Sequence, residues 1–554
     1  MEQEQLFIPI IEESIRQNWD LDALTDYKGI TLQYKDVARK IAKFHIVFEE
    51  AGILPGDKIA LCGRNSAHWA VTFLATITYG AVIVPILHEF KADNIHHIVN
   101  HSEARLLFVG DQAWENLSEE AMPGLKAIVQ LTDFTAVVCR DPRLQEALDH
   151  RNAIYGQRYP KQFRPENVGY RHEKSTDELA IINYTSGTTG FSKGVMLPYR
   201  SLWSNIAYCR RLLGIRPGDN IVSMLPLGHV FGMTYDFLYG ICAGAHLYFL
   251  TRMPSPKIIA QSFGEIRPRV ISCVPLIVEK IIKKNILPQI DNRIGKLLLH
   301  LPIVSDKIKA RARAEAMQVF GGNFDEIIVG GAPFNADVER FLKQIGFPYT
   351  IAYGMTECGP IICSSRWETL KQGSCGKAAD RMQVRIDSPD PRQVAGEILC
   401  RGTNLMLGYY KNEEATRQVV DVDGWLHTGD LATIDEQGYV TVRGRNKNML
   451  LTSSGQNVYP EEIESKLNNM PYVSESLIVL QNGKFVALVY PDFDEAYAHG
   501  LSSDEIARRM EINRVELNSQ LPAYCQIAKV KIHFEEFEKT AKKSIKRFLY
   551  QEAG

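Results

Sequence analysis

The sequence has no excess of charge of either sign. Its 554 residues include 63 Lys and Arg against 65 Asp and Glu, which gives a formal net charge of -2. Affinity for a phosphodiester backbone grows with the number of phosphates that a protein neutralises, so this chain has no global attraction for nucleic acid. We therefore expect no nucleic-acid partner.

The sequence also lacks a disulfide framework. Its 10 cysteines are scattered along the chain, and no two of them form a Cys-x-x-Cys pair. Secreted domains that depend on disulfides have a much higher density of cysteine. We therefore predict reduced thiols and a cytoplasmic location.

Neither an export signal nor a membrane anchor is expected. The first residues are acidic, whereas a signal peptide has a basic start and an apolar core. The longest uncharged run, residues 70–87, just reaches the length of a membrane span, but Gly80 and Pro85 interrupt it. Its second half is rich in β-branched residues, so we predict a buried helix followed by a buried strand. No integral membrane segment is expected, while peripheral membrane contact and the oligomeric state stay open.

Short apolar segments of strand type alternate with longer helical segments through the first three quarters of the chain. Examples of the strand segments are residues 58–62, 180–183 and 270–273. This alternation predicts an α/β fold, in which parallel sheets are covered by helices within a large N-terminal domain of several subdomains. From about Gly396 the strands and turns are more closely spaced, which predicts a small β-rich subdomain. The residues after Arg445 predict a small α+β domain.

A segment rich in Ser, Thr and Gly is the strongest functional signal. Residues 184–194 are Tyr-Thr-Ser-Gly-Thr-Thr-Gly-Phe-Ser-Lys-Gly, and they follow a strand-like segment. Glycines allow turns that expose backbone N–H groups, while the hydroxyls and the Lys193 ammonium add further donors and positive charge. The composition predicts a phosphate-binding loop, with a polar turn between two strands as the alternative. It is not a Walker A loop, because Lys193 follows Gly190 by three residues, and the dinucleotide-binding fingerprint is absent.

This segment resembles the phosphate loop of the adenylate-forming (AMP-binding) enzymes, which include acyl-CoA synthetases, luciferases and peptide synthetases. Seven further blocks follow in the order of that family, and such a series is far more specific than one block. They are Leu225–Gly232, Gly330–Pro333, Tyr353–Glu357, Gly396–Ile398 with Gly408–Tyr410, Gly424–Asp430, Arg443–Arg445 and Ser454–Glu462. The resemblance implies an acid-thiol ligase that joins a carboxylate to the α-phosphate of ATP and then transfers the acyl group to CoA.

The resemblance also implies roles for individual residues. Asp430 and Arg445 would bind the ribose, and Glu357 would bind Mg²⁺, which suits one carboxylate together with phosphate oxygens and water. Tyr353 would stack on adenine and Thr356 would bond the α-phosphate, with Gly354 and Met355 beside them. The β- and γ-phosphates would be held by Thr185, Ser186, Gly187, Thr188, Thr189, Gly190 and Lys193, and the adenine edge by Gly331, Ala332 and Pro333.

His229 has the position where the family often has an aromatic residue or a histidine beside the acyl carboxylate; a core histidine is the alternative. Relatives that activate amino acids have an Asp in this neighbourhood, and here none precedes Asp236. An apolar carboxylic acid therefore fits better than an amino acid. We predict a medium- or long-chain fatty acid, with an aromatic acid as the alternative.

Two domains are implied as well. Residues 1–445 would form the N-terminal adenylate-forming domain and residues 446–554 a mobile C-terminal domain. The hinge would be Asn446–Asn448, where Asn448 replaces the Asp of many relatives. Gly455 matches the glycine that lets the CoA arm reach the acyl-adenylate.

The largest departure from the family pattern is near the C-terminus. Aligning Ile545 and Arg547 with the pattern places Ser544 where the family has a catalytic lysine. We expect Lys543, or else Lys542, to serve instead, so that Thr185, Glu357, His229 and Lys543 form the predicted catalytic set. If neither lysine serves, the chain would be an adenylation-impaired or non-catalytic binder of nucleotide and acyl groups.

Overall fold

The computed structural model describes residues 4–185, 192–251, 256–286, 302–451, 457–539 and 545–551. Two large mixed sheets with helices between their strands occupy most of the first 410 residues. A four-stranded antiparallel sheet follows, and a smaller α+β unit comes last. The architecture confirms the predicted α/β fold, the β-rich subdomain and the smaller C-terminal unit.

The first large sheet has eight strands within the described residues. Its centre is parallel and its strands there are fully buried, because helices cover both faces and require apolar side chains on each. The strands, in spatial order, are Gly408–Tyr409, Lys193–Pro198, Leu179–Thr185, Val82–Ile86, Lys58–Cys62, Ala104–Val109, Ala127–Gln130 and Ala136–Cys139.

The second large sheet has nine strands in the described part of the chain. A parallel centre is again flanked by antiparallel pairs at both edges, which the expectation of parallel sheets does not include. The strands, in spatial order, are Lys377–Ala378, Ile361–Ser364, Tyr349–Gly354, Glu326–Gly330, Val270–Cys273, Asn220–Ser223, His246–Phe249, Asp22–Asp26 and Thr31–Gln33.

Three smaller sheets follow the two large ones. The four-stranded sheet consists of Met382–Asp387, Gly396–Gly402, Leu426–Ile434 and Val440–Arg445. A two-stranded ribbon pairs Leu450–Leu451 with Asn457–Val458, and the last sheet contains Val473–Gln481, Lys484–Pro491 and Ile527–Ile532. The antiparallel strands Val473–Gln481 and Lys484–Pro491 are joined by a tight turn at Asn482 and Gly483, both with positive φ.

The helices lie between these strands. The α-helices of the described residues are Ile8–Gln17, Tyr34–Glu50, Ala67–Tyr79, Ala92–Ser102, Asp111–Trp114, Pro142–Arg158, Tyr199–Leu212, Val230–Gly232, Tyr239–Ala243, Pro256–Ile266, Pro275–Asn285, Pro302–Val319, Ala336–Gln344, Glu413–Val419, Pro460–Leu467, Phe493–Ala498 and Ser503–Ser519. Short 3-10 helices are Pro165–Asn167, Thr356–Cys358, Asn446–Asn448, Ala523–Cys525 and Arg547–Leu549, and Met233–Leu238 is a π-helix.

The uncharged run at residues 70–87 forms a buried helix and a buried strand, as predicted. The helix begins after Ser66, whose hydroxyl accepts a hydrogen bond from the Trp69 N–H at 3.1 Å. It ends at Gly80, whose φ of 86° suits glycine, and the chain continues as the buried strand Val82–Ile86. In the described parts of the chain we find no helix that combines the length and apolarity needed to cross a membrane.

Candidate functional site

The predicted phosphate loop connects two antiparallel strands. Leu179–Thr185 and Lys193–Pro198 pair so that Thr185 lies directly opposite Lys193. The loop between them therefore begins and ends at one edge of the first large sheet. The predicted phosphate ligands Ser186, Gly187, Thr188, Thr189 and Gly190 lie outside the described residues.

Side-chain hydrogen bonds join this edge to the second large sheet. The Asn183 side-chain amide, on the strand before the loop, donates to the Gly228 carbonyl at 3.0 Å. The Asn65 side chain spans the same neighbourhood, since it donates to the Leu225 carbonyl at 2.7 Å and accepts from the Leu227 N–H at 2.9 Å. These bonds are buried, so they fix the block that contains His229 beside the start of the phosphate loop.

His229 lies at the N-terminus of the short helix Val230–Gly232. Its Nδ1 accepts a hydrogen bond from the Phe231 backbone N–H at 3.2 Å, which makes His229 the N-cap residue. In the neutral ring this bond leaves the proton on Nε2. The π-helix Met233–Leu238 follows directly, and its Thr234 hydroxyl donates to the Gly359 carbonyl at 3.1 Å.

The predicted ribose site contains a buried carboxylate with two partners. Asp430 is 7% exposed, and its Oδ2 accepts from the Tyr353 hydroxyl at 2.7 Å. Its Oδ1 lies 3.1 Å from Nε of Arg445, because the two residues face each other across neighbouring strands. Burial raises the pKa of Asp430, while the Arg445 charge and the Tyr353 hydroxyl lower it. Tyr353, Asp430 and Arg445 are therefore brought together, and their contacts with nucleotide stay predictions.

The predicted magnesium ligand lies in a second polar cluster. Glu357 is in the 3-10 helix Thr356–Cys358, together with the buried Thr356, and is 7% exposed. Its Oε1 accepts a hydrogen bond from the Tyr409 hydroxyl at 2.8 Å. The ring of Tyr409 also faces Lys193, whose Nζ lies 5.0 Å from the ring centroid. Sequence reasoning did not single out Tyr409, because a Gly-Tyr-Tyr sequence does not reveal which charges its rings contact.

Backbone segments lie close together around the predicted adenine site. Gly330 and Ala352 are register partners in parallel strands, so both strands end at the same edge of the second sheet. Gly331, Ala332 and Pro333 follow directly and are exposed there. At Gly354 a Cβ would lie 1.9 Å from the Pro360 carbonyl oxygen, so only glycine fits. Met355 follows Gly354 and is half-buried.

The predicted hinge connects the four-stranded sheet to the C-terminal unit. Asn446–Asn448 form a 3-10 helix, and the Asn448 side-chain amide donates to Glu461 Oε1 at 2.6 Å. A second contact joins the C-terminal unit to the large domain, in which Lys283 Nζ donates to Asn469 Oδ1 at 2.9 Å. Gly455 lies outside the described residues.

The candidate catalytic lysines lie outside the described residues, as does Ser544. Their flanks are fixed: Lys539 pairs with Ile545 in an antiparallel bridge, and Arg547 forms an ion pair with the buried Glu464. Burial raises the pKa of Glu464 to about 7, although the Arg547 charge opposes that rise.

Comparisons with known proteins match both the large domain and the C-terminal unit. A model of the AMP-binding enzyme family matches residues 11–410, and a model of the AMP-binding enzyme C-terminal domain matches residues 447–552. The chain is 28% identical over 477 residues to the long-chain-fatty-acid–CoA ligase FadD15 of Mycobacterium bovis. The alignment covers 80% of this chain and 74% of that protein.

A second relative activates a different kind of acid. The chain is 28% identical over 493 residues to the methyl-dioxo-octahydro-indenyl-propanoyl:CoA ligase of Rhodococcus jostii, covering 85% of this chain and 84% of that protein. Among solved structures, the anthranilate CoA ligase AuaEII in complex with anthranoyl-AMP has a TM-score of 0.78 at 20% identity. The alignment covers 99% of this chain and 97% of that one, so the two share the fold.

Proposed function

Because the chain belongs to the AMP-binding enzyme family and is an AMP-forming acid–CoA ligase, we propose that it activates a medium- or long-chain fatty acid. The acid attacks the α-phosphate of ATP, the bond between the α- and β-phosphates breaks, and acyl-AMP and pyrophosphate form. The CoA thiol then attacks the acyl carbon, AMP leaves, and acyl-CoA is released. We also propose that residues 446–554 are the mobile domain, with its hinge at Asn446–Asn448.

The observation that carries the proposal is the pair of polar clusters at the strand ends. One cluster joins Tyr353, Asp430 and Arg445, and the other joins Lys193 to Glu357 through a tyrosine. Transfer of an adenylyl group needs its reactants to be aligned and its developing charge to be stabilised, more than it needs an acid or a base. An ammonium at the start of a strand, a buried carboxylate within a strand and another in a short 3-10 helix supply such groups for a nucleotide.

Glu357 fits the magnesium ion that the family implies. Its Oε1 accepts from Tyr409, and no described residue is a hydrogen-bond partner of its Oε2. The described residues contain no group of three or more side chains that could hold a metal ion by themselves. The ion would thus be held by this one carboxylate, phosphate oxygens and water, which is the usual ligand set of Mg²⁺ with nucleotides. When bound, it would neutralise phosphate charge.

A neutral environment near the predicted acyl site favours an acid without an ammonium group. Asp236 is fully buried in the π-helix Met233–Leu238, and burial raises its pKa well above the usual range. Among the described residues its carboxyl oxygens accept no well-formed hydrogen bond, although the Ser272 hydroxyl and the Leu225 N–H lie near enough to oppose part of the effect of burial on the pKa. A carboxyl whose charged form is disfavoured by burial is a poor counter-ion for an amino-acid ammonium.

The choice of a fatty acid is supported by relatives such as the long-chain-fatty-acid–CoA ligase of Mycobacterium bovis. The second candidate substrate is a cyclic or aromatic acid, which is favoured by the similarity to the indenyl-propanoyl:CoA ligase of Rhodococcus jostii. The third possibility is a protein that binds nucleotide and acyl groups but is impaired in adenylation, because Ser544 stands where the family has a catalytic lysine.

One assay separates these candidates. Pyrophosphate release is measured with acids of two to eighteen carbons, benzoate and a bicyclic propanoate, with and without CoA. Fastest release with medium or long chains, together with CoA-dependent thioester, is the expected result. Preference for a ring acid would replace the fatty acid, release without thioester would indicate an adenylate-only enzyme, and no release with any acid would indicate a binder.

The site itself is tested by Glu357→Gln. This variant should release pyrophosphate at least about 100-fold more slowly, because it removes a charge that acts at the reacting phosphates. Its melting temperature should change by less than about 3 °C, since the amide keeps the shape of the side chain and the bond from Tyr409. Normal turnover would remove Glu357 from the site.

A further inference from the structure

Lys193 and Glu357, two charged residues of the proposed site, contact one side chain. The Tyr409 hydroxyl donates to Glu357 Oε1 at 2.8 Å, and the Lys193 ammonium lies 5.0 Å from the centroid of the Tyr409 ring. Tyr409 is 7% exposed, so water has little access to either contact. Each of the two charges is thus held by the tyrosine.

The backbone around Tyr409 fixes this position. Tyr409 is the register partner of Val195 in the antiparallel pairing with the strand that begins at Lys193. Its N–H donates to the Thr416 hydroxyl at 2.8 Å. Three residues earlier, the Met406 N–H donates to the Glu357 backbone carbonyl at 2.8 Å. One short segment is therefore bonded both to the strand of the lysine and to the turn of the glutamate.

A phenol is suited to hold opposite charges at its two ends. The face of its ring carries negative charge density and attracts an ammonium, while its hydroxyl is a donor to a carboxylate. Without it, an ammonium and a carboxylate at the same partly buried site would attract each other strongly. A direct pair of Lys193 and Glu357 would occupy the donors that a phosphate needs and the oxygens that a cation needs.

We infer that Tyr409 is a positioning residue that holds Lys193 and Glu357 apart, so that the lysine faces phosphate and the carboxylate faces the cation. The inference rests on the proposed function, because it assigns those two residues to Mg²⁺ and ATP. Tyr409 itself touches no reacting atom in this account. Its hydroxyl orients the carboxylate and its ring orients the ammonium.

The two contacts are tested separately by Tyr409→Phe and Tyr409→Leu. Binding of ATP to the full-length protein is measured by calorimetry over a series of Mg²⁺ concentrations, without acid or CoA, so that no turnover contributes. Tyr409→Phe keeps the ring and loses the donor, so it should bind ATP normally in EDTA but need about tenfold more Mg²⁺ for half-maximal enhancement of binding. Tyr409→Leu loses both contacts and should also weaken ATP binding about tenfold in EDTA.

A double variant distinguishes positioning from a general structural role. If Tyr409 acts through the carboxylate, Tyr409→Phe should change the Mg²⁺ dependence in the wild type and have no further effect in Glu357→Gln. A structural role would add the same loss in both backgrounds. The melting temperatures of all variants are compared to identify any that fail to fold.

The chain offers a matched control in the adjacent tyrosine. The Tyr410 hydroxyl donates to Glu103 Oε2 at 3.0 Å, and its ring centroid lies 5.2 Å from Lys411 Nζ, so it makes the same pair of contacts at the surface. Tyr410→Phe should leave ATP binding and its Mg²⁺ dependence unchanged. An effect as large as that of Tyr409→Phe would overturn the inference.

The remaining outcomes separate this inference from the proposed function. No ATP binding by the wild type, or a normal Mg²⁺ dependence in Glu357→Gln, would contradict the proposed function and with it the inference. If Tyr409→Phe shows a normal Mg²⁺ dependence while Glu357→Gln shows a strong effect, the inference about Tyr409 would be overturned and the proposed function would stand.

Discussion

The buried acid Glu326 should make the stability of the large domain depend on pH. It begins the strand Glu326–Gly330, which leads into the predicted adenine segment, and it is 3% exposed. Its pKa is raised from 4.5 to about 8, chiefly by burial; the Trp367 N–H, donating at 2.8 Å, opposes that rise and the nearby charge of Glu368 adds to it. Between these two pH values the folded state binds more protons than the unfolded state, so stability falls as pH rises.

The size of the effect follows from the two pKa values. Each pH unit between them changes the free energy of unfolding by about 1.4 kcal/mol, so ionised Glu326 destabilises the domain by up to about 5 kcal/mol above pH 8. Glu326→Gln cannot ionise, but its amide adds one donor that needs a partner, at a cost of about 1 kcal/mol. The variant should therefore be slightly less stable than the wild type at pH 5 and more stable at pH 9. The free energy of unfolding of the variant minus that of the wild type should rise by about 4 kcal/mol between these two pH values.

Urea denaturation followed by tryptophan fluorescence at pH 5, 7 and 9 measures this difference. Glu436→Gln is the control, because Glu436 forms an exposed ion pair with Arg392 and should show a small difference that does not depend on pH. If the difference between Glu326→Gln and wild type were the same at all three pH values, the argument from burial would be refuted.

Three further predictions concern the site and the C-terminal unit. Asp430→Asn should weaken ATP binding about 10- to 100-fold in calorimetry, because it removes a charged acceptor. Lys543→Ala should slow pyrophosphate release and spare thioester formation from supplied acyl-AMP; if Lys542→Ala does this instead, the assignment of Lys543 is wrong. Arg547→Ala should lower the free energy of unfolding of the C-terminal unit in urea by about 3 kcal/mol, because it leaves Glu464 buried and unpaired, whereas a change below about 1 kcal/mol would contradict this role.

Hydrophobic periodicity was sufficient to predict several of the buried strands. The segments 58–62 and 270–273 are strands with those bounds, and the run at 70–87 divides into a helix and a strand at Gly80. These elements are buried, so their pattern of apolar residues is determined by the packing itself. The antiparallel strands at the sheet edges were not predicted, because pairing direction depends on the partner strand, which the local pattern does not contain.

The candidate site could be predicted from sequence only as a set of separate blocks. Asp430 and Arg445 each belong to a recognisable block, but their contact follows from the register of two strands. The contact of Tyr409 with Glu357 connects a strand of the first large sheet to a 3-10 helix that follows a strand of the second, and it cannot be read from the spacing of either block. Motifs therefore predict which residues belong to the site, while the pairing of their charges requires the fold.

Assembly of the candidate site depends on how the sheets pack against one another. Each polar cluster takes its members from separate parts of the fold: Asp430 and Tyr353 belong to different sheets, and Tyr409 links the first large sheet to the turn that contains Glu357. Neither cluster can form within one subdomain, so under the proposed assignment of these residues ATP binding would require the sheets to be docked. Because a ligand that binds only the folded state stabilises it, ATP should stabilise this docked arrangement as one unit.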